Sequence, residues 1–280
     1  MKTKNTVRCA SAVALLLTTI SITLNAAPPP GYTKIWEDNF DGAMLNAANW
    51  TIGLEDPATG DLVPGALGAS LLNNSYAGYI TPEDVVVSGG ALTLTNQKRT
   101  YQGTDPVGTF QYTSGWIMSM HKVHFNGGTT AKYVEFRAKF PSGPKVWPAL
   151  WMGAEGLSWP PEWDLWEYFG YLSGVGYDVM GNHLATGPSW RRVKWYSHWI
   201  SNFDAIYDGE TWHTYGWEWT PNGAVWYLDG VEVHRLAKTL RWPNTEMYLI
   251  LNNGVKTDSP EGNTVYPNAL VIDYVQVWSK

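Results

Sequence analysis

"TWHTYGWEWTPNGAVWYLDGVEVHRL", residues 211–236, decides the fold. Runs of aromatic and β-branched residues are broken by Pro221-Asn222-Gly223 and again by Leu228-Asp229-Gly230, and no run keeps a helical period. Such runs suit a pleated, half-buried strand, and glycine or asparagine accepts the positive φ of a tight hairpin turn. The pattern recurs outward in both directions, in "DVVVSGGALTLTN" (84–96), "KYVEFRAKFPSG" (132–143), "EMYLILNNG" (246–254) and "ALVIDYVQVWS" (269–279). Short strands at this spacing predict an all-β sandwich or barrel. Residues 53–78 and 101–112 are polar, glycine-containing and aperiodic, which predicts long loops bordering a binding site.

The chain has 280 residues, 44% of them hydrophobic, ample for a sizeable core. Residues 1–26 read as a signal peptide: Lys2, Lys4 and Arg8, then the apolar "ASAVALLLTTISITL", then small residues at Ala26 and Ala27. The apolar run is short for a membrane span, although a retained anchor is the competing reading. Residues 27–32, "APPPGY", form a short stiff spacer, and residues 33–280 contain no second linker or internal repeat, so a single catalytic-sized domain is expected there. Cys9, the only cysteine, falls in the leader. A mature chain without thiols has no disulfides, thiolate zinc sites or cysteine nucleophile. Removing Lys2, Lys4 and Arg8 takes the 19 basic residues to 16 against 25 acidic ones, a balance of −9. That sign opposes nucleic acid and heavily sulfated polymers as partners. The expectation is a secreted monomer, extracellular or periplasmic, with no membrane association after cleavage. Seventeen tryptophans and 16 tyrosines are the sharper deviation. Aromatic rings stack on the apolar faces of sugars, and they also fill cores.

The chemistry concentrates in "WPPEWDLWEYFG", residues 159–170, where Glu162, Asp164 and Glu167 stand among aromatic and aliphatic neighbours. On a strand Glu162 and Asp164 share a face, whereas Glu167, five positions on, falls on the other. One extra residue, a β-bulge between Asp164 and Glu167, restores all three to one face. Retaining glycoside hydrolysis gives a reason: two carboxyls about 5–5.5 Å apart, one the nucleophile and the other the general acid and then base. An intervening Asp164 holds the two roles apart through proton sharing and charge. Two other readings compete. The acids could form the solvated face of an edge strand, yet the intervening Trp163, Leu165 and Trp166 point to a buried reverse face. They could also hold a metal through oxygen, but the segment lacks the asparagine and glycine of a calcium loop. In "VWPALWM" (146–152), Trp147, Ala149 and Trp151 share a face and form a slot for a flat ligand, or else fill the core. Trp217, Trp219, Trp226 and Tyr227 carry the same ambiguity.

Glu-x-Asp-x-x-Glu on a bulged strand resembles the active-site motif of glycoside hydrolase family 16. The likeness extends through "IWEDNFDGAMLNAANWTIG", "AKYVEFRAKFPSGPKVWPALWM", "TWHTYGWEWTPNGAVWYLDG", "YLILNNGV" and "VIDYVQVW", in the family's order. It implies a jelly-roll β-sandwich of two antiparallel sheets with an open concave cleft for a polysaccharide. Carried over by position, it makes Glu162 the nucleophile, Asp164 the helper and Glu167 the acid/base. It brings Trp147 and Trp151 toward the cleft and His183 toward the reacting sugar, with a hydrogen-bonded core histidine as the alternative for His183. It gives His213 a structural role. No cofactor is implied for catalysis, but Asp273 matches a carboxylate that joins backbone oxygens around a structural calcium. The five-residue glutamate spacing favours the branch with laminarinases and algal galactanases over that of bacterial lichenases. An endo-acting hydrolase of a β-1,3- or mixed-linked β-1,3(4)-glucan is the first expectation. A β-galactanase on an algal galactan, agarase-, porphyranase- or carrageenase-like, is the alternative. It gains if Arg191, Arg192 and Lys194 line the cleft rather than forming a solvated strand edge. A transglycosylase would use the same residues, and a non-catalytic glycan-binding protein on this fold is the reading from another class. The chain departs from many β-1,3-glucanases at "LNNGVKTDSPEGN" (251–263), where those have a glycine-rich segment.

Overall fold

The computed structural model describes residues 28–54, 75–104 and 107–280. The leader expected over residues 1–26 lies outside these residues, as does most of the first expected loop. The early strands are β1 (Thr33–Asp38), β2 (Thr51–Ile52), β3 (Gly78–Ile80), β4 (Val85–Ser88), β5 (Ala91–Thr104) and β6 (Val107–Ser114). Next come β7 (Trp116–Met118), β8 (His124–Phe125), β9 (Lys132–Lys139), β10 (Val146–Ala154), β11 (Glu162–Leu172) and β12 (Gly176–Thr186). The last are β13 (Lys194–Ser201), β14 (His213–Thr220), β15 (Gly223–Leu228), β16 (Val231–Ala237), β17 (Met247–Val255) and β18 (Asn268–Ser279). One short helix, α1 (Phe203–Tyr207), interrupts them.

The strands form two sheets that bury a shared core, the jelly-roll sandwich that the family resemblance implies. One sheet runs β16-β15-β14-β9-β18-β5-β6-β3, with β1 on β18 and β4 on β5. The other runs β13-β12-β11-β10-β17-β7-β2, with β8 on β17. Among the described residues the pairing departs from a purely antiparallel scheme where β3 runs parallel to β6. Gly78 permits this approach, because a Cβ there would lie 2.0 Å from Ser114 Oγ.

The expected hairpins form. Gly89 and Gly90 close β4 on β5, and Asp229 and Gly230 close β15 on β16, all four at positive φ. The β14–β15 turn is held differently: Thr220 Oγ1 accepts the N–H groups of Asn222 and Gly223 at 3.1 Å each. Of the residues read as a loop over 101–112, 101–104 are instead the end of β5 and 107–112 part of β6, paired out to Thr104 and Val107. A register shift between Lys98 and Tyr101 breaks the alternation that would have marked the strand. Tyr79, Tyr101 and Phe110 pack together there, with Tyr79 at 5.1 Å from Tyr101 and 4.7 Å from Phe110.

Most of the ambiguous tryptophans are core. Trp163 of β11 is surrounded by Trp217, Trp219, Trp226 and Trp242 at 5.1, 6.1, 5.9 and 5.3 Å. Tyr227 points the other way and packs 6.0 Å from Tyr133. Behind the acidic motif, Trp163, Leu165 and Trp166 all enter this core. Two consecutive residues facing inward need an irregularity, and β11 supplies it. Trp151 of β10 pairs with Asp164 and its neighbour Leu150 with Trp166, so Leu165 is the extra residue. On the other side His183 pairs with Asp164 and Gly181 with Glu167. Asn182, between them, donates from Nδ2 to the Leu165 carbonyl at 2.7 Å. Strand alternation is thereby reset, and Glu162, Asp164 and Glu167 share one face. Replacing Asn182 by Ala leaves a buried bulge carbonyl without its donor. The expected cost is about 1–3 kcal/mol, read as a lower denaturant midpoint with an unchanged slope.

Candidate active site

The face of β11 that carries the three acids forms the floor of a cavity of about 250 Å³. Trp147, Ala149 and Trp151 of β10 line one side, as their alternation predicts, and Trp195 of β13 and Trp159 line the other. Tyr76 completes the wall beside Trp147.

The tryptophans here are used differently from those in the core. The indole N–H of Trp147 donates to Glu167 Oε1 at 2.7 Å, that of Trp159 to Glu162 Oε2 at 3.1 Å, and that of Trp151 to Asn252 Oδ1 at 2.7 Å. In the core, Trp163, Trp166, Trp217, Trp219 and Trp226 have no acceptor for theirs among the described residues. Two cleft indoles, Trp147 and Trp159, therefore orient acids, while these five core indoles fill space. Trp147 is not an open platform, since Tyr76 stacks on it at 4.2 Å with an interplanar angle of 8°. Trp195 is freer, 48% exposed and 6.3 Å from Trp159.

Three acids on one dry wall cannot all ionise easily. Burial is the main cause that raises each of them. Glu162 is pushed up to about 7 against the opposing pull of the Trp159 hydrogen bond. Glu167 is pushed up to about 8, with the Trp147 hydrogen bond and Lys256 pulling down and Glu162 pushing further up. Asp164 is held well above its ordinary range by burial and then by the charges of Glu162 and Glu167. The three titrate as a coupled unit. At neutral pH this arrangement keeps a proton among carboxyls that would be fully ionised in water, which is what general acid catalysis needs.

His183 also faces this wall. Its Nε2 lies 3.6 Å from Glu167 Oε2, and burial pushes the ring down to about 3, so the contact is one between a carboxyl and a neutral imidazole. Neither ring nitrogen has a hydrogen-bond partner among the described residues, and the ring, 3% exposed, lies outside the cavity lining. The ring lies close to Gly181, where a Cβ would meet Nε2 at 2.1 Å. Trp199 packs 4.4 Å from the ring on its β13 side.

Other expected residues lie elsewhere. Arg191, Arg192 and Lys194 are exposed and outside the cavity lining. Arg191 rests 4.8 Å over Trp190, and Lys194 4.6 Å over Tyr196, whose ring packs against the core. His213 bonds Asp229 Oδ2 through Nδ1 at 2.7 Å, beside the β15–β16 turn, as a structural residue would. Asp273 accepts from Arg137 Nη1 at 2.6 Å, so a guanidinium stands where a calcium ion would have to approach. Among the described residues no group of three His, Cys, Asp or Glu side chains could hold a metal. Of the side-chain donors expected at a calcium site, Asp273 is thus alone and already engaged by Arg137. Among the described residues no helix is long and apolar enough to cross a membrane.

Sequence reasoning missed Tyr76, Trp159 and Trp195. Trp195 had a usable signal, its alternation with Ser197 and Trp199 along β13. Tyr76 fell within the segment 53–78 expected to border a binding site, but nothing marked it individually, because it reaches the wall through a single bridge to Lys256.

The sequence model of the family described as Glycosyl hydrolases family 16 matches residues 73–275. An endo-1,3-1,4-β-glycanase, ExsH, of Rhizobium meliloti (strain 1021) is 29% identical over 74% of this chain, and a β-glucanase of Rhodothermus marinus is 26% identical over 89%. The chain spans 42% of the length of the first relative and 86% of the second. The laminarinase catalytic domain from Thermotoga maritima MSB8 superposes with a TM-score of 0.70 at 26% identity, covering 89% of this chain and 98% of that one. The chain belongs to glycosyl hydrolase family 16.

Proposed function

We propose that the protein is an exported, endo-acting, retaining glycoside hydrolase that cleaves a β-1,3- or mixed-linked β-1,3(4)-glucan. The observation that carries the reading is the bulge in β11, which brings Glu162, Asp164 and Glu167 to one wall of one cavity. The β-glycanase and β-glucanase names of the relatives favour a glucan. The exposed position of Arg191, Arg192 and Lys194 outside the cavity takes away the feature that would have favoured a sulfated galactan. The basic start and apolar run of residues 1–26 support export.

The reaction runs in two displacements. Ionised Glu162 attacks the anomeric carbon, the glycosidic C–O bond breaks, and the proton of Glu167 passes to the leaving oxygen. A glycosyl ester on Glu162 results. Glu167, now ionised, takes a proton from water as that water attacks the same carbon, and Glu162 leaves with the configuration restored. Asp164, whose proton affinity burial and the two glutamates raise, stands between them as the helper that shares a proton with Glu162 and limits the repulsion between the glutamates. His183 contributes a buried, neutral ring beside Glu167 that adds no charge of its own.

Glu162→Gln is expected to lower kcat on laminarin at least about a thousandfold while leaving the fold and glycan binding in place. Normal turnover in that variant would overturn the assignment. Because Glu162 must be ionised and Glu167 protonated, kcat/KM rises with pH as the first titrates near 7 and falls as the second titrates near 8. A bell with its maximum between those values is expected from initial rates, and a flat profile from pH 5 to 9 would contradict the roles. Early products followed by NMR carry the β configuration, whereas early α product would exclude the double displacement.

A further inference from the structure

Lys256 is buried at the end of β17, yet the reaction just described gives it no part. Its place is set by the backbone. Tyr76 and Lys256 form an isolated antiparallel bridge, flanked by Ala77 N–H to the Val255 carbonyl and Thr257 N–H to the Ser75 carbonyl, each 2.8 Å. That bridge delivers both side chains to the same indole. Tyr76 stacks on Trp147, and the Lys256 ammonium lies 4.8 Å over the ring. The N–H of this indole is the one that Glu167 accepts at 2.7 Å.

We propose that Lys256 is a positioning residue for the acid/base, acting on Glu167 through the indole of Trp147. A cation over an aromatic face draws electron density toward itself. An indole polarised in this way is a stronger N–H donor, and chained interactions of this kind reinforce one another where water is excluded. The direct field of the ammonium acts in the same sense. Both stabilise the ionised form of Glu167 against burial and against Glu162, which act the other way. The benefit is to the second displacement, where Glu167 must accept a proton after having given one. Without Lys256 it stays protonated to higher pH and serves as acid better than as base.

The other groups around the pair are few. Glu162 and Asp164 come from β11 itself, His183 from β12 and Tyr76 from across the bridge. Asp258 pairs with the Lys256 ammonium, and Lys145 contributes its carbonyl to the Lys256 N–H while its own ammonium bonds the Ser259 carbonyl. Asp258 is 56% exposed, so its opposing charge is screened by solvent more than that of the buried ammonium.

The proposal rests on the reading of Glu167 as acid/base, and two measurements on the full chain separate them. The first is the pH profile of kcat/KM on laminarin. Lys256→Met is expected to move the alkaline limb up by about half a unit or more, leave the acid limb in place and change kcat more than KM. Lys256→Arg is expected to return the limb. The second needs no turnover: the NMR resonance of the Trp147 indole N–H, assigned by its loss in Trp147→Phe, follows the titration of Glu167. Its inflection should shift upward in Lys256→Met as the limb does. A folded Lys256→Met protein with an unmoved inflection overturns the proposal. Absence of hydrolysis by the unaltered protein would overturn the proposed function, while the indole titration still reads Lys256. Should Lys256→Met fail to fold, Asp258→Asn removes the opposing charge from the surface and is expected to shift the inflection down, and no shift there is equally fatal.

Discussion

The packing of Leu165 and Trp166 side by side into the core is the constraint on which the rest depends. Two neighbouring residues of a strand face the same way only if the strand gains a residue, and the ladder of β11 shows that gain on both sides. The interior thus sets the spacing of the acids from behind. Asn182 meets the carbonyl that the irregularity exposes, and Trp163 fixes the same segment within a group of four other indoles. The acids need no contact with one another to be correctly arranged, because apolar packing on the reverse face arranges them.

That solution places like charges together where water is scarce, and the surrounding groups manage the consequence. Burial raises the proton affinity of all three carboxyls, and two indole N–H groups and one buried ammonium lower it again at chosen oxygens. Neutral His183 adds no charge of its own. The wall therefore holds protons at neutral pH without being locked into holding them, which suits a carboxyl that is to give up a proton during glycoside hydrolysis.

Much of this was legible in the chain. The "SGG" and "LDG" turns adopt the positive φ that their glycines and aspartate allow, and the odd spacing of Glu162, Asp164 and Glu167 announced the bulge before any pairing was visible. Legibility failed where periodicity was broken or contacts were remote. The end of β5 and β6 looked like a loop because a register shift interrupts the alternation around Tyr101. Tyr76 and Lys256 are far apart in sequence and meet across a single bridge, which no local pattern encodes. Asp273 carries the motif position of a metal ligand, but its partner is Arg137, which a one-residue reading could not foresee. Tryptophan counts misled in one direction only: most of the rings that looked available for sugar are filling the space between the sheets.

The division between the two faces of β11 also separates two kinds of change that the protein can tolerate. Residues behind the strand decide whether bond cleavage is possible at all, since any loss of the extra residue turns a glutamate away. Residues that bound the cavity come from unrelated segments: Tyr76 just before β3, Trp159 before β11 and Trp195 on an outer strand. Variation in those segments can redraw which polymer fits while the reacting groups keep their register. A scaffold with this partition can diversify in diet without reinventing its chemistry, and directed evolution for a new glycan has its natural targets in the walls rather than the floor.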